Sequence, residues 1–156
     1  ILGKTAMLFE AATESGAILA DCSTEQREAL RLYGRHLGIA FQLIDDVMDY
    51  LSTAEEMGKN VGDDLAEGKP TLPLIHAMRE GNDEERQLIR QAIRKGGLED
   101  LESIMAIVRQ TGAITYTQTR AQEEADKAIA ALDVLADSSF KDTLRQLADM
   151  AVKRKA

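Results

Sequence analysis

Four polar side chains that could bind a metal ion or a phosphate stand close together in an otherwise apolar stretch. They are Gln42, Asp45, Asp46 and Asp49. At about 100° per residue, a helix places all four within an arc of roughly 100°. No Lys or Arg lies within a helical turn of the aspartates in the sequence, so their carboxylates resist burial together. A solvated acidic face and a stripe that binds a hard cation both fit this pattern, and the apolar flanks favour the cation site.

Glycines and lysines follow the aspartates in a distinctive order. The first element is Gly58-Lys59, and the second is Gly62-Asp63-Asp64-Leu65-x-Glu67-Gly68-Lys69-Pro70-Thr71-Leu72-Pro73. Together with Phe-Gln-x-x-Asp-Asp-x-x-Asp, this order resembles the second aspartate-rich region of the trans-isoprenyl diphosphate synthases. It is most similar to the long-chain polyprenyl branch. The aspartate motif is weak by itself, and the correctly ordered Gly-Lys and Gly-Lys-Pro-Thr elements make the resemblance specific.

The resemblance implies that the aspartates bind Mg²⁺. Asp45, Asp46 and Asp49 are then metal ligands rather than general acids or bases, and Asp45 is the most direct ligand. Bound Mg²⁺ neutralises the charge that develops on a departing pyrophosphate. We expect Asp63 and Asp64 to belong to the same polar network.

The resemblance also implies substrate-binding and catalytic residues outside the aspartates. Lys4 contacts the substrate diphosphate, and Thr5 lies beside the reacting allylic carbon. Gln42 binds substrate and directs its amide oxygen at the carbocation, whereas Lys59 and Lys69 bind phosphate oxygens as point charges. Without the resemblance, the three lysines could equally be solvated charges, and Thr5 could be a residue at a helix start.

The activity implied is that of a prenyltransferase. It condenses an allylic diphosphate with isopentenyl diphosphate into a long all-trans polyprenyl diphosphate, octaprenyl-like and used for a quinone side chain. A homodimer is also expected from the family. The alternatives are a non-catalytic helical subunit, or an inactive fragment that keeps half of the metal and diphosphate site. A terpene cyclase also uses an aspartate-rich helix, but the Gly-Lys-Pro-Thr-Leu-Pro element disfavours it.

Helices are predicted to position the aspartates, Gln42, Lys4 and Thr5. Aromatic residues make up only 4%, there are two prolines, and alternating strand patterns are missing from the sequence. Ser23 and Gln26 form a capping box that starts a long helix ending near Leu51, which carries the aspartates. A helix before it carries Lys4 and Thr5, residues 52–70 form an irregular stretch, and five helices follow. The prediction is an all-α fold, which the resemblance identifies as the C-terminal part of an isoprenoid-synthase-type helical bundle.

Composition excludes several other classes of protein. The formal charge of −8 argues against nucleic acid as a partner. No apolar stretch approaches the roughly 20 residues that span a bilayer, and no signal peptide is visible. The single cysteine, Cys22, forms no internal disulfide, so a cytoplasmic setting is expected. Neither His36 nor His76 follows a Glu by three residues, which excludes a Glu-x-x-His di-iron site, and His36 is interpreted as a packing residue.

The chain is expected to be one domain and a piece of a longer protein. Its 156 residues suffice for a single helical domain with its own core. It starts at Ile1 without a methionine and already inside a helical pattern. By the resemblance, residues 1–156 are the C-terminal half of the family fold, and the N-terminal half with the first aspartate-rich motif lies upstream.

Overall fold

Helices account for all regular structure in the part of the chain that the computed structural model describes, residues 1–51, 62–96 and 99–154. A π-helical turn at Leu2–Ala6 continues into α1 at Met7–Leu19. The following helices are α2 (Thr24–Leu51), α3 (Asp63–Ala66), α4 (Leu72–Glu80), α5 (Asp83–Lys95), α6 (Leu101–Gln110), α7 (Ala113–Ala131) and α8 (Ser139–Lys153), with a 3₁₀ turn at Leu132–Val134. The all-α prediction is confirmed. No described helix has the length and apolarity that a membrane span requires.

Local capping signals set the starts of α2 and α5. The Ser23 amide donates to Gln26 Oε1 at 3.1 Å, and the Gln26 amide donates to Ser23 Oγ at 3.2 Å, which confirms the predicted capping box. Asn82 and Glu85 form a second, reciprocal box at the start of α5. Each box satisfies amide groups that have no partner inside their helix, so these starts follow from local sequence alone.

Two compact units each bury their own apolar core. The first comprises Ile1–Ile44 and Arg120–Arg154, and the second comprises the described residues of the range Asp45–Thr119. Buried residues at the centre of the first unit are Tyr33, Leu37, Ala128, Leu132, Ala148 and Ala151. Those of the second unit include Tyr50, Leu65, Leu74, Ile89, Ile104 and Val108. The expectation of a single domain stays a prediction.

Glycines in α2 allow α1 to approach it closely. A Cβ atom at Gly34 would lie 2.2 Å from Thr13 Oγ1 and 2.5 Å from the Phe9 carbonyl oxygen. A Cβ atom at Gly38 would lie 2.7 Å from the Ala6 Cα. Because two of these neighbours are backbone atoms, no side-chain rotation can relieve the overlap, and α1 would have to move away.

Replacing Gly34 by alanine is therefore expected to destabilise the first unit by about 1–3 kcal/mol, the usual cost of overpacking. Gly16 in α1 provides the matched control, because a Cβ atom there meets nothing within 4 Å. Gly16→Ala should be neutral or stabilising, since alanine favours the helix by about 1 kcal/mol over glycine. Urea unfolding of both variants measures the difference, and equal stabilities would contradict the close approach.

Candidate functional site

Two of the predicted catalytic residues, 37 positions apart, are joined by a direct hydrogen bond in the first unit. The Thr5 hydroxyl donates to Gln42 Oε1 at 2.6 Å. Gln42 is 6% exposed, so its side chain is held by packing as well as by this bond. Thr5 and Gln42 are thus brought together by the fold, and their catalytic roles stay predictions.

This bond fixes the direction of the Thr5 hydroxyl. The hydroxyl has one hydrogen and two lone pairs, and the hydrogen is committed to Gln42. The lone pairs of Thr5 Oγ1 are then left to face other atoms. An oxygen oriented in this way presents negative potential, which is what a positively charged carbon requires.

Lys4 and Thr5 both lie in the π-helical turn that precedes α1. The Ala6 amide donates a hydrogen bond to the Ile1 carbonyl at 3.4 Å. The separation of five residues between donor and acceptor defines a π-helical turn. Turns of this type are rare and occur frequently at functional sites. Lys4 is exposed, so its ammonium group is accessible to an anionic ligand.

The three aspartates of the motif differ sharply in environment in the second unit. Asp45 is exposed, Asp46 is only 3% exposed, and Asp49 is intermediate. An exposed carboxylate can bind a cation at a lower desolvation cost than a buried one. The role of Asp45 as the most direct metal ligand stays a prediction.

Asp49 holds the start of α3. Its Oδ1 accepts the Asp63 amide at 3.1 Å, and its Oδ2 accepts the Asp64 amide at 3.2 Å. Its backbone carbonyl accepts the Gly62 amide at 3.1 Å. Burial raises the pKa of the Asp49 carboxyl above its ordinary value, the amide of Asp64 opposes this effect, and the negative charge of Asp64 adds to it. The carboxylate thus already serves as a helix cap.

The position of α3 corrects the predicted irregular stretch at residues 52–70. Asp63–Ala66 form a short helix whose Leu65 is fully buried. The sequence contains no local cap for this helix, because the preceding residue is Gly62, which has no side chain. Gly62 adopts a positive φ of 84°. A helix start without a local cap needs an acceptor from elsewhere in the chain, and Asp49 supplies it.

Lys69 follows α3 and is surrounded by carboxylates. Its Nζ lies 3.7 Å from Asp64 Oδ1 and forms a shorter ion pair with Glu67. The hydrogen bond that Lys69 donates to Glu67 is the main reason that the pKa of Lys69 is raised, so the side chain is charged. Lys69 remains 43% exposed and can exchange these partners for another anion.

Two buried hydroxyls lie close in sequence to these charged groups. Tyr50 is 2% exposed, and burial raises the pKa of its hydroxyl above the ordinary value. Within the described ranges no residue has full hydrogen-bond geometry to Tyr50 Oη or Thr71 Oγ1. The Thr71 side chain nevertheless interacts with the Tyr50 hydroxyl and opposes the rise of its pKa. Thr71 precedes α4 without using its hydroxyl as a cap. Buried polar atoms of this kind usually have water or another polar group as a partner.

One of the predicted phosphate-binding lysines lies beyond the described ranges. Lys59 falls outside the described residues. Among the residues that are described, no three His, Cys, Asp or Glu side chains come together closely enough to hold a metal ion by themselves. The roles of Asp45, Asp46 and Asp49 as metal ligands stay predictions.

His36 has a partner that fits a packing role in the first unit. Its Nδ1 lies 2.7 Å from Glu124 Oε2, and Lys127 Nζ donates to Glu124 Oε1 at 2.6 Å. Burial by itself would raise the pKa of Glu124, but the hydrogen bonds from Lys127 and His36 outweigh it and lower the pKa. These contacts support the interpretation of His36 as a structural residue.

Arg154, the last residue of the first unit, contacts Phe41 in α2. The Arg154 guanidinium lies 4.1 Å from the centre of the Phe41 ring and donates to the Phe41 carbonyl at 3.4 Å. No local sequence pattern links Arg154 to Phe41, because the two residues lie 113 positions apart. This contact places a cation beside the residue that precedes Gln42 in the chain.

Comparisons with known proteins extend the resemblance found in the sequence. The sequence model of the polyprenyl synthetase family matches residues 1–111. The chain is 54% identical over 155 residues to the octaprenyl diphosphate synthase of Escherichia coli K12, covering 99% of this chain and 48% of that protein. It is 51% identical over 154 residues to the geranyl-diphosphate-specific all-trans-nonaprenyl-diphosphate synthase of Rhodobacter capsulatus, covering 99% of this chain and 47% of the relative.

A solved structure extends the similarity to the fold. The polyprenyl synthase of Caulobacter crescentus, crystallised with calcium and isoprenyl diphosphate, matches with a TM-score of 0.91 and 42% identity. The match covers 100% of this chain and 48% of that one. The chain thus spans about half the length of the curated relatives and solved structures that it matches.

Proposed function

Because the chain belongs to the polyprenyl synthetase family, we propose that it acts in a prenyltransferase that condenses an allylic diphosphate with isopentenyl diphosphate. The observation that carries the proposal lies in the second unit, where Asp49 ties the segment containing Lys69 to the helix of the aspartate motif. Carboxylates suited to a metal ion and a lysine suited to phosphate are thereby fixed in one structural element. This combination fits a diphosphate that is bound together with a divalent cation.

Binding of the diphosphate falls to the acidic and basic groups of the motif. Mg²⁺, when bound, would neutralise the negative charge that develops on pyrophosphate as the carbon–oxygen bond breaks. Asp45 is its proposed principal ligand and Asp46 the next. Lys69, Lys59 and Lys4 supply positive charge to the phosphate oxygens.

The donors in the chain fit Mg²⁺. This ion prefers oxygen ligands and is usually held in substrate sites by one or two carboxylates, with water and phosphate oxygens completing its shell. The exposed carboxylate of Asp45 meets that requirement from the protein side. Asp49, the third predicted ligand, has both carboxylate oxygens engaged by backbone amides.

Stabilisation of the allylic carbocation is assigned to Thr5 and Gln42. The hydrogen bond between them supports this role, because it turns the lone pairs of Thr5 Oγ1 away from Gln42. An oriented oxygen stabilises positive charge without reorganising during the reaction. The double bond of isopentenyl diphosphate then attacks the cation to form the new carbon–carbon bond. The departed pyrophosphate accepts the proton that the resulting cation loses, which restores neutrality at carbon.

The finer parts of the proposal come from the resemblance and from the names of the relatives. They are a long all-trans product of octaprenyl type for a quinone side chain, Mg²⁺ as the metal, a homodimer, and a cytoplasmic location. The two relatives described above make octaprenyl and nonaprenyl chains by name, which supports the long-chain class.

The test is incorporation of labelled isopentenyl diphosphate onto farnesyl diphosphate in the presence of Mg²⁺. The 156-residue chain is assayed alone and joined to the upstream half found in its relatives. We expect incorporation in at least the longer form, its loss when a chelator removes the metal, and its recovery when Mg²⁺ is restored. No incorporation by either folded form would overturn the proposal and favour a non-catalytic helical subunit.

A further inference from the structure

The third aspartate of the motif makes contacts that a metal ligand does not need. Each Asp49 carboxylate oxygen accepts one backbone amide, from Asp63 and from Asp64. Each oxygen keeps a second lone pair, but the two amides set the orientation of the carboxylate, so its position follows the start of α3. Asp45, four residues earlier, is more exposed than Asp49. The two carboxylates therefore differ in their exposure to solvent.

The bonds to Asp49 continue toward Lys69. The Asp64 amide donates to Asp49, and the Asp64 carbonyl in turn accepts the Lys69 amide at 2.8 Å. The side chain of Lys69 also lies 3.7 Å from the Asp64 carboxylate. A continuous set of hydrogen bonds therefore runs from the Asp49 carboxylate through Asp64 to the backbone of Lys69.

Packing on the far side of α3 limits the ways in which this segment can move. Leu65 is fully buried, and Gly68 has a positive φ of 68°. A Cβ atom at Gly68 would lie 2.7 Å from the carbonyl oxygen of Ile93 in α5. The segment is thus held by α5 on one side and by the Asp49 carboxylate at its start.

We infer that Asp49 is a positioning residue that fastens the segment 62–69 to the motif helix and so sets the place of Lys69, rather than a ligand of the metal. This inference rests on the proposed function for its effect on catalysis. Its structural part, the fastening of α3 by the Asp49 carboxylate, can be tested without any activity.

Hydrogen exchange tests the fastening directly. In Asp49→Ala, the amides of Asp63 and Asp64 should exchange about tenfold or more faster, because a hydrogen bond to a charged acceptor protects by at least this factor. Asp49→Asn keeps one carbonyl acceptor and should fall between wild type and alanine. Asp45→Ala is the matched control, and it should leave the exchange of these two amides unchanged.

A double-mutant cycle tests whether Asp49 acts through Lys69. It uses the longer form of the chain that transfers prenyl groups, with the KM for the allylic diphosphate and the half-saturating Mg²⁺ concentration as readouts. Asp49→Ala should raise KM in the wild-type background and add nothing to KM in the Lys69→Ala background. The half-saturating Mg²⁺ concentration should stay within about twofold of wild type.

The contrary results are equally defined. Unchanged exchange of the Asp63 and Asp64 amides in Asp49→Ala would overturn the fastening. A tenfold rise in half-saturating Mg²⁺, equal in Asp49→Asn and Asp49→Ala and additive with Lys69→Ala, would show a metal ligand instead. Failure of the proposed function would appear differently, as no incorporation by the unsubstituted protein, and the exchange measurement would still decide the structural part.

Discussion

Replacing Asp45 by alanine is expected to lower turnover by roughly 10²- to 10³-fold, the range found when one group that stabilises developing charge is removed. The reason is that Asp45 is the exposed carboxylate of the motif and the proposed principal ligand of Mg²⁺. Because the side chain is exposed, its removal leaves no cavity, so helicity and stability should change little. Steady-state kinetics in the active form, with circular dichroism of the same samples, measure both effects.

Two further variants make the Asp45 result specific. Asp45→Asn preserves the shape of the side chain but removes its charge, and it should lose nearly as much turnover as alanine. Glu102→Ala removes an exposed acidic side chain from α6 and should leave turnover unchanged. Wild-type turnover in Asp45→Ala, or an equal loss in Glu102→Ala, would contradict the assignment of Asp45 to the metal.

Replacing Lys69 by alanine is expected to weaken binding of a magnesium–pyrophosphate complex by roughly 10- to 100-fold, as loss of one charged hydrogen bond costs about 1.5–3 kcal/mol. Lys69 is charged and 43% exposed, and its ion pairs with Glu67 and Asp64 are easily exchanged. Lys59→Ala should act in the same way. Isothermal titration calorimetry measures the affinity, and chemical unfolding should show little change in stability.

The control for Lys69 must remove one positive charge elsewhere. Lys95 lies exposed in the last turn of α5, so Lys95→Ala changes the net charge by the same amount. Affinity should fall only for Lys69→Ala and Lys59→Ala, and it should fall less at high salt because screening already weakens the attraction. Equal affinities in all three variants would mean that this segment does not bind diphosphate.

Local sequence signals were sufficient for the longer helices and for the motif. Ser23 and Gln26 predicted the start of α2, and the buried stripe of Ala121, Ala125, Ala128 and Leu132 follows directly from its spacing. These features depend on neighbours within one or two helical turns, so a single sequence contains all the information that they need. The short helix α3 was missed because its cap comes from a residue 14 positions earlier.

The sequence by itself determined the all-α class, the family, and the residue types that could bind a cation and a diphosphate. Only the tertiary structure decided that Thr5 bonds Gln42 and that Asp49 caps α3 while Asp45 stays exposed. In the sequence, the aspartates are equivalent acids on one stripe. Their burial and hydrogen-bond partners distinguish them, and these depend on how distant segments pack, which local periodicity does not encode.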